Sequence, residues 1–129
     1  MKILIVEDHF FMVRKLLEAL APHHTTGESD MIQITTTSDA EVAQELMKMQ
    51  WTYILLDHDL PNRWAGWQLL NNTAEYRLID HAKIIAISAV PENNKRLLQH
   101  GAHYAVAKMD CNFGEEIKRL IEQENGKTS

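Results

Sequence analysis

The chain has 129 residues, of which 45% are hydrophobic and 24% are charged, and its formal net charge is −5. This composition is ordinary for one soluble globular domain that buries its own hydrophobic core. The negative net charge and the lack of a basic stripe argue against a surface that binds nucleic acid directly.

The cysteine count and the hydropathy pattern predict a cytoplasmic protein. Cys111 is the single cysteine and cannot form an internal disulfide, which suits a reducing compartment. Glu7 and Asp8 interrupt the first apolar run too early for a signal peptide, and no window is long enough to span a membrane. We expect one domain over residues 1–125, followed by a frayed tail over residues 126–129.

The first half of the chain alternates between apolar runs of strand length and segments with helical spacing. Residues 3–6 form a continuous run rich in β-branched residues, as expected for a strand that is covered on both faces. The next predicted element is a helix that stops at Pro22, with apolar Val13, Leu16, Leu17 and Leu20. A loop over 23–30 and a weaker strand over 32–36 follow. Ser38 or Asp39 then caps a helix with Val42, Leu46 and Met49 on its apolar face.

The second half of the chain repeats this alternation. Residues 53–56 and 83–88 are predicted to be covered strands, and residues 66–72 a short helix between them. Pro91 is expected to begin the next helix and Gly101 to end it. The last predicted elements are a strand over 105–107 and a helix with Ile117, Leu120 and Ile121 on its apolar face.

Five strands that alternate with helices predict an α/β fold, a doubly wound parallel sheet with helices on both faces. We expect the flavodoxin-like (βα)5 architecture with strand order 2-1-3-4-5, in which the first and third strands are neighbours. Sites in such sheets form outside the carboxyl ends of the strands, where the strand order reverses. The residues that follow the first and third strands are therefore expected to share one site.

Acidic residues follow both of these strands. Glu7 and Asp8 come directly after the first strand, and Asp57 comes directly after the third. A carboxylate at the end of a buried strand is destabilising unless it has a partner or a chemical role. At ~4 Å and an effective dielectric of ~20, two carboxylates repel by roughly 4 kcal/mol, and a cation such as Mg²⁺ removes this repulsion. The three acids therefore predict a cation site.

Polar residues also follow the fourth and fifth strands. The hydroxyl of Ser88 can donate to a phosphoryl oxygen, and the ammonium of Lys108 can neutralise one. A carboxylate nucleophile beside a metal suits phosphoryl transfer, in which positioning and charge neutralisation supply most of the catalysis. We therefore predict an acidic metal site with a phosphate-binding side.

Taken in order, these motifs resemble the receiver domain of response regulators, the CheY-like domain of two-component signal transduction. The resemblance covers essentially the whole chain and rests on Ile3-Leu4-Ile5-Val6-Glu7-Asp8, Leu55-Leu56-Asp57 with Leu60-Pro61, Ser88-Ala89, and Gly101-Ala102 before Lys108. It implies a phosphoprotein rather than an enzyme, with at most self-phosphorylation from small phosphodonors and slow self-dephosphorylation.

The resemblance also implies a role for each site residue. Asp57 is expected to be the phospho-acceptor, which becomes an aspartyl phosphate. Ser88 and Lys108 are expected to contact the phosphoryl group. The implied Mg²⁺ ligands are Asp8, Asp57 and the backbone carbonyl of Asp59, with Glu7 assisting mostly through water.

Two kinds of partner are implied as well. A sensor histidine kinase or a phosphotransfer protein is expected to donate the phosphoryl group. Phosphorylation is then expected to rearrange an output surface formed by the fourth helix, the fifth strand and the fifth helix. That surface would control a downstream protein partner or effector domain, or support a homodimer, without direct contact to nucleic acid or a membrane.

Four features depart from the family pattern. Met109 follows Lys108 where proline is usual, so we expect a trans peptide bond there. Ala105 stands at the position of the aromatic switch residue, and Tyr104 is expected to face the other side of the strand. The loop after the third strand is one residue longer than usual, and Asp59 adds a carboxylate at the mouth of the pocket.

Two other functions stay open. A pseudo-receiver, which keeps the fold but signals by binding alone, is favoured by the departures at Ala105 and Met109. Asp57-His58-Asp59 also resembles the Asp-x-Asp nucleophile motif of haloacid dehalogenase-type phosphatases. That family places its further acids after the nucleophile, however, whereas Glu7 and Asp8 precede it here.

Each residue also has a structural interpretation. The acid pair would cap the first helix, Asp57 and Ser88 would form turns, and Lys108 would lay its stem along apolar surface. The seven histidines show no spacing that predicts a metal site, so we interpret them as solvated surface residues. Trp64, if exposed, would mark a partner contact.

Overall fold

The computed structural model describes residues 1–20, 32–76, 82–108 and 110–127. Within these ranges the strands are β1 (Lys2–Val6), β2 (Gln33–Thr37), β3 (Tyr53–Leu56), β4 (Lys83–Ser88) and β5 (Tyr104–Ala107). The helices are α1 (Phe10–Leu20), α2 (Ala40–Met47), α3 (Gly66–Asn72), α4 (Pro91–Gln99) and α5 (Phe113–Lys127), and a short 3-10 helix covers Pro61–Arg63. The predicted alternation of strands and helices is confirmed.

These strands pair in parallel in one sheet with the order β2-β1-β3-β4-β5. This is the predicted flavodoxin-like topology, and it makes β1 and β3 direct neighbours. Their register pairs Ile3 with Tyr53 and Val6 with Leu56, so the residues that follow the two strands emerge side by side. The amide of Asp57 donates to the carbonyl oxygen of Val6 at 3.0 Å and extends the pairing beyond β3.

Helices cover the sheet on both faces. In β3, Ile54 and Leu56 belong to the core formed with α2, α3 and α4, whereas Tyr53 and Leu55 belong to the core formed with α1 and α5. Consecutive strand residues point to opposite faces, so a strand buried on both faces needs apolar side chains at every position. This requirement explains the continuous apolar runs that predicted β1, β3 and β4.

The structure corrects the apolar face predicted for α2. Ala43 and Met47 are buried, whereas Val42 and Met49 are 48% and 54% exposed, and the helix ends at Met47. Asp39 sets the start of the helix, because its side chain accepts a hydrogen bond from the amide of Val42 at 3.0 Å. The buried residues are Ala40, Ala43 and Met47, and a count of large apolar side chains misses the two alanines.

Some predictions fall partly outside the described residues. Helix α1 is described as far as Leu20, so the predicted stop at Pro22 and the loop over 23–30 are not covered. Helix α5 continues to Lys127, two residues into the segment predicted to be a tail. Among the residues that the structure describes, none of the helices combines the length and the hydropathy needed to cross a bilayer.

Gly66 begins α3 where that helix approaches the end of β3. A Cβ atom on this residue would collide with the backbone carbonyl oxygen of Asp57 and lie 3.1 Å from Cδ2 of Leu97. We expect Gly66→Ala to lower the free energy of unfolding by ~1–3 kcal/mol, because the backbone next to the site must shift. Chemical denaturation measures this change, and a variant as stable as the wild type would contradict the close approach.

Candidate functional site

Two buried carboxylates lie at the carboxyl edge of the sheet. Glu7 follows β1 and Asp57 follows β3, and each residue is 2% exposed. Asp8 is the next residue, and its side chain keeps an exposed fraction of 30%. The parallel register of β1 and β3 therefore brings the three predicted acids together, with Asp8 on the solvent side.

The ammonium group of Lys108 bridges the two buried acids. Lys108 follows β5, and its Nζ donates to both carboxylate oxygens of Glu7, at 3.0 and 3.1 Å, and to Oδ2 of Asp57 at 3.0 Å. Its side chain is 7% exposed. The backbone amide of Lys108 donates to the carbonyl oxygen of Ser88 at 3.1 Å, which anchors the lysine to the end of β4. One ammonium between two carboxylates leaves one negative charge to be balanced.

The unbalanced negative charge contributes to the pKa shifts of the buried groups. Burial raises the pKa of the Asp57 carboxyl from 3.8 to about 7. The negative charge of Glu7 adds to this rise, and the positive charge of Lys108 opposes it. Burial by itself would lower the pKa of Lys108, but the charges of Asp57 and Glu7 outweigh it, so this pKa is raised. Without a further cation, Asp57 therefore changes its charge near neutral pH.

The acids form a group that can hold a metal ion. Glu7, Asp8, His9 and Asp57 each offer one ligand atom, and these four atoms lie within 4.8 Å of one another. Mg²⁺ prefers oxygen ligands and usually binds through one or two carboxylates while it keeps several waters. The carboxylates of Asp8 and Asp57 suit this role directly, since Lys108 occupies both oxygens of Glu7.

Asp59 lies at the mouth of the pocket, as predicted. Its carboxylate is 76% exposed, and its Oδ1 lies 2.8 Å from Nδ1 of His58. Its Oδ2 accepts a hydrogen bond from the side-chain amide of Asn93 at 3.5 Å. The assignment of the Asp59 backbone carbonyl as a Mg²⁺ ligand stays a prediction.

Ser88 stands at the end of β4 in the wall of the same pocket. It is 2% exposed, and its Oγ accepts a hydrogen bond from the amide of Val90 at 3.1 Å. The pocket has a volume of about 290 Å³ and is lined by Asp57, Asp59, Ser88 and Lys108, with apolar side chains from α1 and the loop after β4. Four of the predicted site residues thus face one cavity, large enough for a phosphoryl group.

The sequence model of the response regulator receiver domain matches residues 3–121, which is most of the chain. This chain belongs to that family. A comparison with curated proteins found no match.

Solved structures of receiver domains share this fold. A CheY-like receiver protein from Methanospirillum hungatei is 20% identical with a TM-score of 0.73, over 98% of this chain and 97% of that chain. Response regulator TrrA from Thermotoga maritima, in complex with Mg²⁺ and BeF, is 24% identical with a TM-score of 0.70, over 94% and 96%. The phosphorylated cyanobacterial phytochrome response regulator RcpA is 20% identical with a TM-score of 0.74, over 95% and 91%. At these identities the likeness establishes the fold.

Asn94 is a buried residue of this receiver domain that sequence analysis missed. Its side-chain oxygen accepts from the amide of Ser88 at 2.9 Å, and its side-chain nitrogen donates to the carbonyl oxygens of Ser88 and Val106 at 3.2 and 3.3 Å. One amide group thus connects α4, β4 and β5 beside the pocket. Asn94 and Leu97 are three residues apart and share the buried face of α4. This spacing is the sequence signal that could have indicated the burial of Asn94.

His58 departs from the predicted surface role, and His9 lies on the surface as predicted but also contacts the acid pair. Nδ1 of His9 lies 2.9 Å from Oε1 of Glu7 and 3.1 Å from Oδ1 of Asp8, so this ring contacts the acid pair. The side chain of His58 is 9% exposed, and its buried Nε2 has no hydrogen-bond partner within the described part of the chain. Neither placement follows from the spacing of histidines along the sequence.

Ala105 and Tyr104 lie on different sides of β5, as predicted. Ala105 is exposed, and Tyr104 packs against the core formed with α1 and α5. The outer position of β5 therefore carries a methyl group. Met109 lies outside the described residues, so the trans bond expected after Lys108 stays a prediction.

The longer loop after β3 closes on itself. The amide of Leu60 donates to the carbonyl oxygen of Trp64 at 3.0 Å. Between them, Asn62 and Arg63 have φ angles of 61° and 64°, in the left-handed region that costs a non-glycine residue ~1 kcal/mol. Trp64 is partly buried against the core, so the exposure expected of a partner contact is not met.

Asn94 offers a test of the buried hydrogen bonds behind the pocket. We expect Asn94→Ala to lower the free energy of unfolding by ~2–4 kcal/mol, because it removes three buried hydrogen bonds, to the amide and carbonyl of Ser88 and to the carbonyl of Val106. Asn93→Ala is the matched control, since the side-chain amide of Asn93 makes one long contact, to Asp59. Denaturation followed by circular dichroism measures both variants, and equal losses would contradict the role of Asn94.

The raised pKa of Asp57 predicts how stability depends on pH. The folded protein keeps this proton up to about pH 7, whereas the unfolded chain releases it near the ordinary pKa of 3.8. The folded state therefore binds more protons between these values, and wild-type stability falls there as the pH rises. Asp57→Asn removes this loss, so we expect the variant to gain up to ~4 kcal/mol relative to wild type between about pH 4 and about pH 8.

Urea denaturation in the presence of EDTA at several pH values measures this difference. Asp59→Asn is the matched control, because the Asp59 carboxylate is 76% exposed. A stability difference between wild type and Asp57→Asn that does not vary with pH would contradict the raised pKa.

Proposed function

We propose that this receiver domain accepts a phosphoryl group on Asp57 with the help of Mg²⁺ and then changes the surface that it offers to a partner. The proposal rests on the contact of 3.0 Å between Nζ of Lys108 and Oδ2 of Asp57, beside the acids Glu7 and Asp8. A carboxylate nucleophile here has an ammonium on one side and candidate metal ligands on the other.

In the proposed reaction, an oxygen of the Asp57 carboxylate bonds to phosphorus while the bond from phosphorus to the donor breaks. With a phosphohistidine donor, the leaving imidazole nitrogen keeps the electron pair of that bond. The nucleophile must be ionised, and a pKa of about 7 leaves a substantial ionised fraction at neutral pH. Lys108 balances the negative charge that the phosphoryl oxygens bring. Mg²⁺, when bound to Asp8 and Asp57, supplies further positive charge.

Ser88 is the residue that we propose as the sensor of this group. Its Oγ lies in the pocket wall and accepts a hydrogen bond from the amide of Val90 at 3.1 Å. When the side chain turns so that the hydroxyl donates to a phosphoryl oxygen, its oxygen moves away from the Val90 amide, and the segment that leads into α4 loses that contact. We propose α4, β5 and α5 as the output surface, which controls a downstream protein or effector domain or supports a homodimer.

The proposed donor is a sensor histidine kinase or a phosphotransfer protein, and the proposed location is the cytoplasm. Membership of the receiver family supports a phosphoryl acceptor in two-component signalling rather than a classical enzyme. The structural relatives TrrA, solved with Mg²⁺ and BeF, and RcpA, solved in its phosphorylated form, support a cation-assisted phosphorylation.

Intact mass spectrometry tests the proposal. Incubation with Mg²⁺ and acetyl phosphate is expected to add one phosphoryl group that is stable in acid and labile in base. Asp57→Asn should give no adduct, because an amide cannot act as the nucleophile. Asp59→Asn makes the same chemical change on an exposed acid two positions away and should still give the adduct.

The same assay separates the other two functions. Repeated turnover of a phosphate ester without a lasting adduct would indicate an Asp-x-Asp phosphatase. A protein that forms no adduct and does not bind Mg²⁺ would be a pseudo-receiver, and the proposed phosphorylation would be wrong.

A second variant tests the proposed sensor. We expect Ser88→Ala to form the Asp57 adduct but to lose most of the amide chemical-shift changes that phosphorylation causes in α4 and β5, since the sensing hydroxyl is absent. Thr52→Ala is a control, because its side chain bonds the amide of Lys2 at the opposite edge of the sheet. Equal shift changes in Ser88→Ala and wild type would contradict this role.

A further inference from the structure

His9 sits where the acid pair meets α1, and its backbone is held in place. Its carbonyl oxygen accepts from the amides of Met12 and Val13 at 3.0 and 3.1 Å, in the first turn of the helix. Its own amide donates to Oε1 of Glu7 at 3.2 Å. The ring is 66% exposed, so it borders both the acid pair and solvent.

The ring nitrogen is at a distance that suits a shared metal ion. Nδ1 of His9 is 2.9 Å from Oε1 of Glu7 and 3.1 Å from Oδ1 of Asp8. The separation from Glu7 is that of a hydrogen bond. Neighbouring ligands bound ~2.1 Å from one octahedral ion are ~3.0 Å apart, which matches the separation between His9 and Asp8. A ligand atom of Asp57 lies within 4.8 Å of both.

A nitrogen ligand changes which ions such a site prefers. Imidazole suits first-row transition metals, whereas Mg²⁺ favours carboxylate, carbonyl and water oxygens. The carboxylates of Asp8 and Asp57 alone would therefore favour hard ions, but two carboxylates with one imidazole favour ions such as Co²⁺, Ni²⁺ or Zn²⁺.

We propose that His9 is a nitrogen ligand of the cation site and makes it selective for transition-metal ions over Mg²⁺. The proposal deepens the function proposed above, on whose cation site it rests. It would let the receiver domain use a transition-metal ion in place of Mg²⁺ when the phosphoryl group arrives.

The competing explanation is that the His9 ring is a counter-ion of the acid pair and competes with any cation for the same carboxylates. The two roles make opposite predictions for removal of the ring. Loss of a ligand weakens transition-metal binding selectively, whereas loss of a counter-ion strengthens the binding of every cation.

The experiment measures Mg²⁺ and Co²⁺ binding to the full chain by calorimetry, without a phosphodonor and at one fixed pH. The background carries Cys111→Ser, because the exposed thiol would otherwise compete for Co²⁺. We expect the starting protein to bind Co²⁺ at least ~10-fold more tightly than Mg²⁺. His9→Ala should lose ~10-fold or more in Co²⁺ affinity and less than ~3-fold in Mg²⁺ affinity.

His100→Ala is the matched control, because this histidine bonds Asn71 away from the acid pair. It should keep the metal affinities of the starting protein. The visible absorption of bound Co²⁺ provides a second readout, and it should change in His9→Ala and stay unchanged in His100→Ala. Since the His9 side chain is largely exposed, we expect the variant to fold, and its far-ultraviolet circular dichroism checks this.

Three outcomes would overturn the proposal. They are an equal loss of Co²⁺ and Mg²⁺ affinity in His9→Ala, a gain in affinity for both ions, and an unchanged Co²⁺ spectrum. Because no phosphodonor is present, these results are independent of the labelling of Asp57. A protein that shows the expected metal selectivity but takes no label would therefore contradict the proposed function and support the role of His9.

Discussion

The contact of one ammonium group with two buried carboxylates holds the site together. Lys108 after β5 reaches Glu7 after β1 and Asp57 after β3, so a single side chain connects three of the strand ends. A buried carboxylate without a partner is strongly destabilising, and truncation of one member of a buried ion pair typically costs about 3–5 kcal/mol. The lysine therefore holds both acids in place, and Lys108 and Asp57 both line the cavity.

The same contact leaves the site short of positive charge. Two carboxylates share one ammonium, and the pKa of Asp57 rises to about 7 in consequence of burial and of the charge of Glu7. A fully compensated group of buried charges would have little affinity for a further cation. The residual negative charge favours a further cation beside Asp8.

The end of β4 is connected to neighbouring elements through hydrogen bonds to the main chain. Asn94 of α4 bonds the amide and the carbonyl oxygen of Ser88 and the carbonyl oxygen of Val106. Ala105 places a methyl group at the exposed position of β5, and Tyr104 packs against the core. A buried side-chain amide thus joins the wall of the pocket to α4.

The sequence by itself determined the strands, their order and the acids of the site. Burial on both faces demands continuous apolar runs, and local periodicity records that demand, so the bounds of β3, α3 and β4 were predicted to the residue. Only the tertiary structure decided which side chains meet. Glu7 and Lys108 are 101 residues apart, and their contact depends on register, helix packing and rotamers that no local pattern encodes. The placement of His9 and Asn94 was decided in the same way, because a polar side chain acquires its partners only when separate elements pack together.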